Sequence, residues 1–293
     1  MTAITVSGGG FTPELWSDKI NINLDNIGAY NDIVNRKYEG EIKRKGDKVT
    51  FYTVGNLAVQ DYDPTAEDFA GIQYADPQGQ TTTLEVDQQK IVPFLVDDIK
   101  KVQSNIELVN EFTKRIAVAA SDVKDAYIHS LAVAGAGTKL NASAAKEITS
   151  ANCWAEVCKM HTTLARKKAI TKQGLDHSGK RPALVVTPEF QGMLLQCDQF
   201  FANAFGDKVL RTGQIGHIGI FDVFLDTNIT VTAEGEQTIV ALTSDAITYA
   251  EQITETETLR DKDTVGDYVR SLMVYGGVVA NADCIVTDKV KVA

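Results

Sequence analysis

The stretch that most constrains this chain is residues 97–133. Its larger residues, Ile99, Val102, Ile106, Val109, Phe112, Ile116, Val123, Tyr127 and Leu131, recur at gaps of three, four and seven. That spacing places one stripe on one side of a 3.6-residue helix. Asp97 or Asp98 can cap the start, Gly135 and Gly137 can stop it, and no proline interrupts it. The pattern predicts a single rod about 50 Å long. Such a rod outspans an ordinary domain core and predicts an elongated molecule.

A chain of 293 residues, 44% hydrophobic and 23% charged, has the composition of a globular protein with room for one large or two modest domains. The net charge of −10 argues against a general polyanion binder, which needs a surplus of Lys and Arg. The longest apolar runs, such as residues 183–186 and 274–282, are far too short to cross a bilayer, so no membrane partner is expected. The first residues lack the basic and apolar regions of a signal peptide. Cys153, Cys158, Cys197 and Cys284 are therefore expected to be reduced and to serve as small hydrophobes. The spacing of Cys153 and Cys158 fits neither a zinc knuckle nor a redox CxxC.

Before the rod the chain is of two kinds. Gly8-Gly9-Gly10 followed by Phe11, Leu15 and Trp16 reads as a flexible tip leading into an arm whose apolar residues could be pinned on another surface. The plainer reading, favoured by this segment alone, is a terminal element packed on its own domain. In residues 39–96, Val49, Phe51 and Thr53 alternate with Lys48, Thr50 and Tyr52, as in a half-exposed strand. Residues 84–96 read as a second strand. Between them lies a polar, turn-rich excursion with Pro64 and Pro77. This predicts an extended hairpin. Having little core of its own, it should lie on something else, such as a neighbouring subunit. Its aromatic residues Tyr52, Tyr62, Phe69 and Tyr74 join Phe11, Leu15 and Trp16 as candidate inter-subunit contacts.

After the rod comes a small-residue link. A helix is predicted over 152–169, with Trp154, Val157, His161, Leu164 and Ala165 on one face. Residues 181–187 read as a buried strand, Pro188 opens a further helix, and glycine-punctuated turns in 211–231 lead into a strand pair. Residues 149–233 thus read as a compact α/β module, and the chain from 236 onward as strands. Residues 159–181 hold seven basic residues against one acidic, and 245–267 seven acidic against two basic. Each is read first as a solvated face, although opposite patches can also meet between copies.

No catalytic constellation accompanies these elements. His129, His161, His177 and His217 lie far apart, without paired-ligand spacing. The glycines of 213–219 form neither GxGxxG nor a P-loop, helix capping accounts for Asp97-Asp98, and no GxSxG elbow occurs. No catalytic residue, cofactor site or metal site is predicted.

Taken in order, several blocks carry a family likeness. They are Phe11-Thr12-Pro13-Glu14-Leu15-Trp16; Gly46-Asp47-Lys48-Val49; Asp61-Tyr62-Asp63; Leu84-Glu85-Val86-Asp87-Gln88-Gln89-Lys90 running into Phe94 and Val96-Asp97-Asp98-Ile99; and residues 181–188 and 213–223. Over nearly its whole length the sequence resembles the major capsid proteins of tailed bacteriophages with the HK97-type fold. The resemblance implies an α+β fold: an N-terminal arm (1–38), an extended β-hairpin or E-loop (39–96), and the spine helix of a peripheral (P) domain (97–148). It further implies an axial (A) domain (149–233) and C-terminal strands returning to the P-domain (234–293).

The implied function is self-assembly through hexamers and pentamers into an icosahedral head around double-stranded DNA, bound without sequence specificity. The implied partners are a separate scaffolding protein, a portal and decoration proteins; the implied location is the virion, assembled in the bacterial cytoplasm. Some family members carry a scaffolding region before the arm. Here Phe11 is almost at the start, so scaffolding would be separate, cleaved or dispensable. Others cross-link Lys to Asn. Lys43, Lys45 and Lys48 lie near the hairpin base, but no partner Asn or assisting Glu is identifiable, and that chemistry is not carried over. The alternatives are an encapsulin-type nanocompartment shell with the same fold, and a soluble α/β enzyme.

Overall fold

The computed structural model describes residues 28–38, 46–54, 79–97, 106–197, 216–260 and 266–292. In chain order its strands begin with β1 (Lys48–Val54), β2 (Gly79–Glu85) and β3 (Gln88–Asp97), followed by helix α1 (Ile106–Gly135). The short β4 (Thr138–Leu140) and β5 (Lys146–Ile148) precede α2 (Cys153–Arg166), β6 (Ala183–Val186) and α3 (Pro188–Leu195). Then come β7 (His217–Ile218), β8 (Phe221–Leu225), β9 (Glu236–Leu242), β10 (Ile247–Arg260), β11 (Gly266–Val279) and β12 (Ile285–Val292).

The main sheet is built around β6, whose Ala-Leu-Val-Val run is buried at every position. Such continuous apolarity suits a strand covered on both faces. β8 lies parallel to it on one side and β9 antiparallel on the other. β12 extends the sheet beyond β9, β4 and β5 add parallel to β12, and β7 pairs with β8. Helix α2 packs on β12 through a face whose buried residues are Cys153, Glu156, Val157, Met160 and Leu164. Of the residues expected on that face, Val157 and Leu164 are buried, Trp154 and His161 are half-buried and Ala165 is exposed. The His161 ring meets Phe221 edge-on at 6.4 Å. α3 begins where its sequence says it should. Thr187 accepts a hydrogen bond from the Phe190 N–H at 3.3 Å, and Pro188 fills the first turn, where no N–H is needed.

Two long β runs of the sequence are each divided. Residues 84–96 break after Glu85: β2 pairs with β1 in a two-stranded hairpin, whereas β3 pairs with β11. The C-terminal run breaks at a 3-10 turn (Ala282–Cys284), so that β11 joins β10 and β3 in a long ribbon while β12 enters the main sheet. Asp97 ends β3 opposite Gly266, and Asp98 lies outside the described residues.

The rod itself is present, with 30 described residues or about 45 Å. It packs against β9, β11 and β12. Its buried arc runs through Ile116, Ala117, Ala120, Lys124, Ile128 and Ala132, while Val123 is 41% exposed. The small side chains let the helix approach the sheet closely, so they rather than the larger valine define the contact face. Gly135 ends the helix against Val279, and Gly137 donates its N–H to the Ala282 carbonyl at 2.9 Å, an approach a Cβ would block.

Candidate assembly elements: the arm root and the hairpin

Residues 28–38 lie across α1 and the start of β10. Tyr30 is fully buried and Ile33 and Val34 nearly so. Asp125 of α1 accepts the Ala29 N–H at 2.9 Å and the Tyr30 N–H at 3.4 Å. One turn further along α1, His129 Nδ1 shares a hydrogen bond with the Tyr30 hydroxyl at 2.8 Å. Asn35 bridges to β10 by main chain: its N–H donates to the Ile247 carbonyl and its carbonyl accepts from the Tyr249 N–H, both at 3.0 Å.

A charged network completes the anchor. Lys124 has no exposed side-chain surface and donates to Asn31 Oδ1 at 3.1 Å and Glu251 Oε1 at 3.3 Å. Arg36 donates to the same two acceptors at 2.6 and 3.0 Å, and the Tyr249 hydroxyl donates to Glu251 Oε2 at 2.9 Å. Three separate segments thus converge on one carboxylate. Burial sets the electrostatics here. It pushes the Asp125 carboxyl up to about 6, with the nearby Asp226 adding to the effect and the Ala29 N–H opposing it. Burial also lowers His129 to about 4 and lifts the Tyr30 and Tyr249 phenols well above their usual range. Buried ion pairs of this kind add little net stability over apolar packing, but removing one partner is costly. The arrangement fixes residues 28–38 against α1 and β10.

Beside the arm root opens a cleft of about 1290 Å³, lined by Asn31, Arg36 and Lys37 on one side and by Lys180, Arg181 and Asp245 on the other. Its far wall is held by Asp176, which accepts the N–H groups of Ser178, Lys180 and Ser244 at 3.0, 2.7 and 3.2 Å. The Ser178 hydroxyl is turned to Asp245 at 2.8 Å, and His177 Nε2 bonds the Lys168 carbonyl at 3.1 Å. Neither group is arranged as a nucleophile with its base. Among the described residues no group of three or more His, Cys, Asp and Glu is placed to hold a metal ion.

Of the candidate contact residues, Tyr52 is 77% exposed on β1. Phe11, Leu15, Trp16, Tyr62, Phe69 and Tyr74 lie outside the described residues. The hairpin is fastened at its base, where Leu84 and Val86 pack with Ala250 and Val274, and where Phe51 stacks on Tyr38 of the arm root at 5.5 Å. Gly276 permits this approach: a Cβ there would fall 2.8 Å from the Val86 Cα and closer still to the Glu85 carbonyl oxygen. The anchoring set of Tyr30, Asn31, Lys124, Asp125 and Glu251 was not legible in the sequence. Lys124-Asp125 inside the rod reads as solvated charge until the arm root and β10 are placed over it.

Residues 82–287, more than two thirds of the chain, match the family model described as Phage capsid protein. The chain belongs to that family. No protein of the curated set matches this capsid protein. Among solved structures it is similar to one from Mycobacterium phage Che8, at 25% identity and a TM-score of 0.71, covering 88% of this chain and 90% of that one. It is also similar to the asymmetric unit of the bacteriophage PhiM1 mature capsid (12%, TM-score 0.62, 89% and 88% covered). A third match is the virus-like particle from Pyrococcus furiosus (9%, TM-score 0.56, 94% and 98% covered). The mixed α+β architecture of the capsid protein is the HK97-type fold of tailed-phage major capsid proteins. The capsid protein is a structural, shell-forming component of a virion. No helix among its described residues is long and apolar enough to cross a membrane.

Proposed function

We propose that this capsid protein assembles through hexamers and pentamers into an icosahedral phage head that encloses double-stranded DNA. The observation that carries the reading is a contrast in burial. The arm root is held by buried hydrogen bonds, whereas Tyr52 stands 77% exposed on a two-stranded hairpin fastened at its base. A two-stranded hairpin is marginal alone and becomes stable when a neighbouring copy covers it. In this reading residues 1–38 form the arm, 39–96 the E-loop, 97–148 the P-domain spine, 149–233 the A-domain, and 234–293 the return to the P-domain. Heterologous contacts that close give rings, and rings give a shell. A net charge of −10 suits a container whose lining must not grip phosphates. A scaffolding protein, a portal and decoration proteins are the expected partners, with assembly in the host cytoplasm.

A nanocompartment holding protein cargo is the second reading, favoured by the similarity to the Pyrococcus furiosus virus-like particle. Electron microscopy and sedimentation of the purified chain test both. Closed shells, hexamers or curved sheets support assembly; a monomer that persists with crowding agents or scaffold present overturns it. Nuclease-protected DNA inside native particles separates a phage head from a compartment filled with protein.

A further inference from the structure

One end of the basic run of residues 159–181 lines the cleft beside the arm root, and the rest of it flanks a second, smaller pocket. Lys159 is answered by Glu156 at 2.7 Å and Lys167 by Asp283 at 2.9 Å. Arg166, Lys168 and Lys172 are exposed and form no ion pair among the described residues. Their display is built into the backbone. α2 ends with the Ala169 N–H on the Leu164 carbonyl at 3.0 Å and the Lys168 N–H on the Ala165 carbonyl at 3.1 Å. The left-handed residue of such a closure is usually glycine; here it is Lys168, at φ 57°. Lys172 sits in the next turn, closed by the Thr171 N–H on the Leu175 carbonyl at 2.7 Å and the Gly174 N–H on the Thr171 carbonyl at 3.0 Å.

Between that turn and α2 opens a pocket of about 460 Å³, whose lining includes His161, Ala165, Ile170, Lys172 and Ile220 and no acid. Ala165 is exposed, and Ile170 and Ile220 are half-buried. The pocket therefore offers apolar surface beside positive charge. The same chain carries the complement. Residues 55–78, the stretch between β1 and β2, hold five acids and no Lys, Arg or His. They also hold Tyr62, Phe69 and Tyr74, each with an acid within two positions. This stretch is carried at the far end of a seven-residue strand pair, about 20 Å from its base. Tyr52, two positions before β1 ends, is 77% exposed, so the hairpin has already left its own body there.

We propose that the pocket between α2 and the 170–174 turn receives residues 55–78 of a second copy of this chain. The inference rests on the assembly reading above and gives the hairpin its landing site. An aromatic ring from the acidic stretch covers the apolar surface while its flanking carboxylates meet the three cations. A phosphate backbone, the other anionic occupant, would use the cations but leave the apolar surface bare, and a net charge of −10 repels it.

The test is charge reversal in the full chain, read as the yield of closed shells by sedimentation, with the urea midpoint of each protomer as the folding control. A pocket-reversed chain carries Arg166→Glu, Lys168→Glu and Lys172→Glu. A hairpin-reversed chain carries Asp61→Lys, Asp63→Lys, Glu67→Lys and Asp68→Lys. Each alone should lose at least about tenfold in yield, because like charges then face each other at every contact. Mixed in equal amounts, the two chains should recover shells, since each hairpin then meets a pocket of opposite sign. Lys172→Glu alone, which leaves the end of α2 untouched, should lower the yield in the same sense and serves if the triple variant does not fold. Losses that mixing does not repair overturn the docking, as does a pocket loss confined to DNA-filled particles, which assigns the patch to nucleic acid. Native shells indifferent to both reversals overturn this contact alone. A native chain that forms no shells even with scaffold present overturns the assembly reading and the docking with it.

Discussion

Lys124, with no exposed side-chain surface, meets Glu251 at 3.3 Å, joining helix α1 to a strand 127 residues further along the chain. The same carboxylate receives Arg36 and the Tyr249 hydroxyl, so one side chain ties the arm root, the helix and the ribbon together. Replacing Glu251 by Gln would leave Lys124 buried beside a neutral amide. The expected cost is about 3–5 kcal/mol of protomer stability, read from the urea unfolding midpoint. A loss below about 1 kcal/mol would show that the network is incidental.

Gly276 and Gly277 sit side by side on β11 but face different obstacles. A Cβ at Gly276 would strike backbone at Glu85 and Val86, whereas at Gly277 it would meet side-chain atoms of Leu131, Tyr127 and Tyr249, none nearer than 3.1 Å. Gly276→Ala should therefore lift the hairpin base, costing about 1–3 kcal/mol and exposing the Val86 amide to exchange. Gly277→Ala should cost less. Equal effects would mean that the close approach at Val86 does not hold the hairpin.

The arm root should respond to acid through His129. Its ring is held neutral down to about pH 4, whereas in the unfolded chain it takes a proton near 6.5. Stability is thus present above 6.5 and lost as pH falls toward 4. Asp125 acts in the opposite sense, its raised carboxyl favouring the fold as pH drops through about 6 toward 3.8. His129→Gln, which retains a side chain able to bond the Tyr30 hydroxyl, should remove the acid-side loss of about 1–2 kcal/mol that remains after solvent screening. Thermal unfolding at a series of pH values measures it. Parallel profiles for variant and native chain would exclude this role.

Tyr52 separates folding from assembly. At 77% exposure its replacement by Ser should change protomer stability by no more than about 0.5 kcal/mol. If the hairpin lies on a neighbouring copy, the same change should lower the yield of closed shells seen by sedimentation. Normal shell yield would remove Tyr52 from the contact.

Local chemistry was enough to find many of the elements. Thr187-Pro188 starts α3 because a cap and a proline act within four residues, and the buried run of β6 announces itself by lacking any polar position. Lys48–Val54 alternates as an antiparallel strand and is one. The order of motifs along the chain was sufficient to recognise the capsid fold.

Other features depended on partners that sequence order does not reveal. Residues 84–96 and 266–292 each look like continuous β runs, yet each is shared between two sheets, because Val86 turns at the hairpin base and Ala282–Cys284 turns into the main sheet. The buried face of the rod followed its alanines rather than Val123, since closeness of approach decided the contact. Lys124 lies 93 positions from Asn31 and 127 from Glu251, and only folding could show that its charge is buried and answered. Periodicity and capping act over a few residues and can be read from sequence alone; the choice of strand partner and the pairing of buried charge are made across the whole chain, where only the tertiary structure decides.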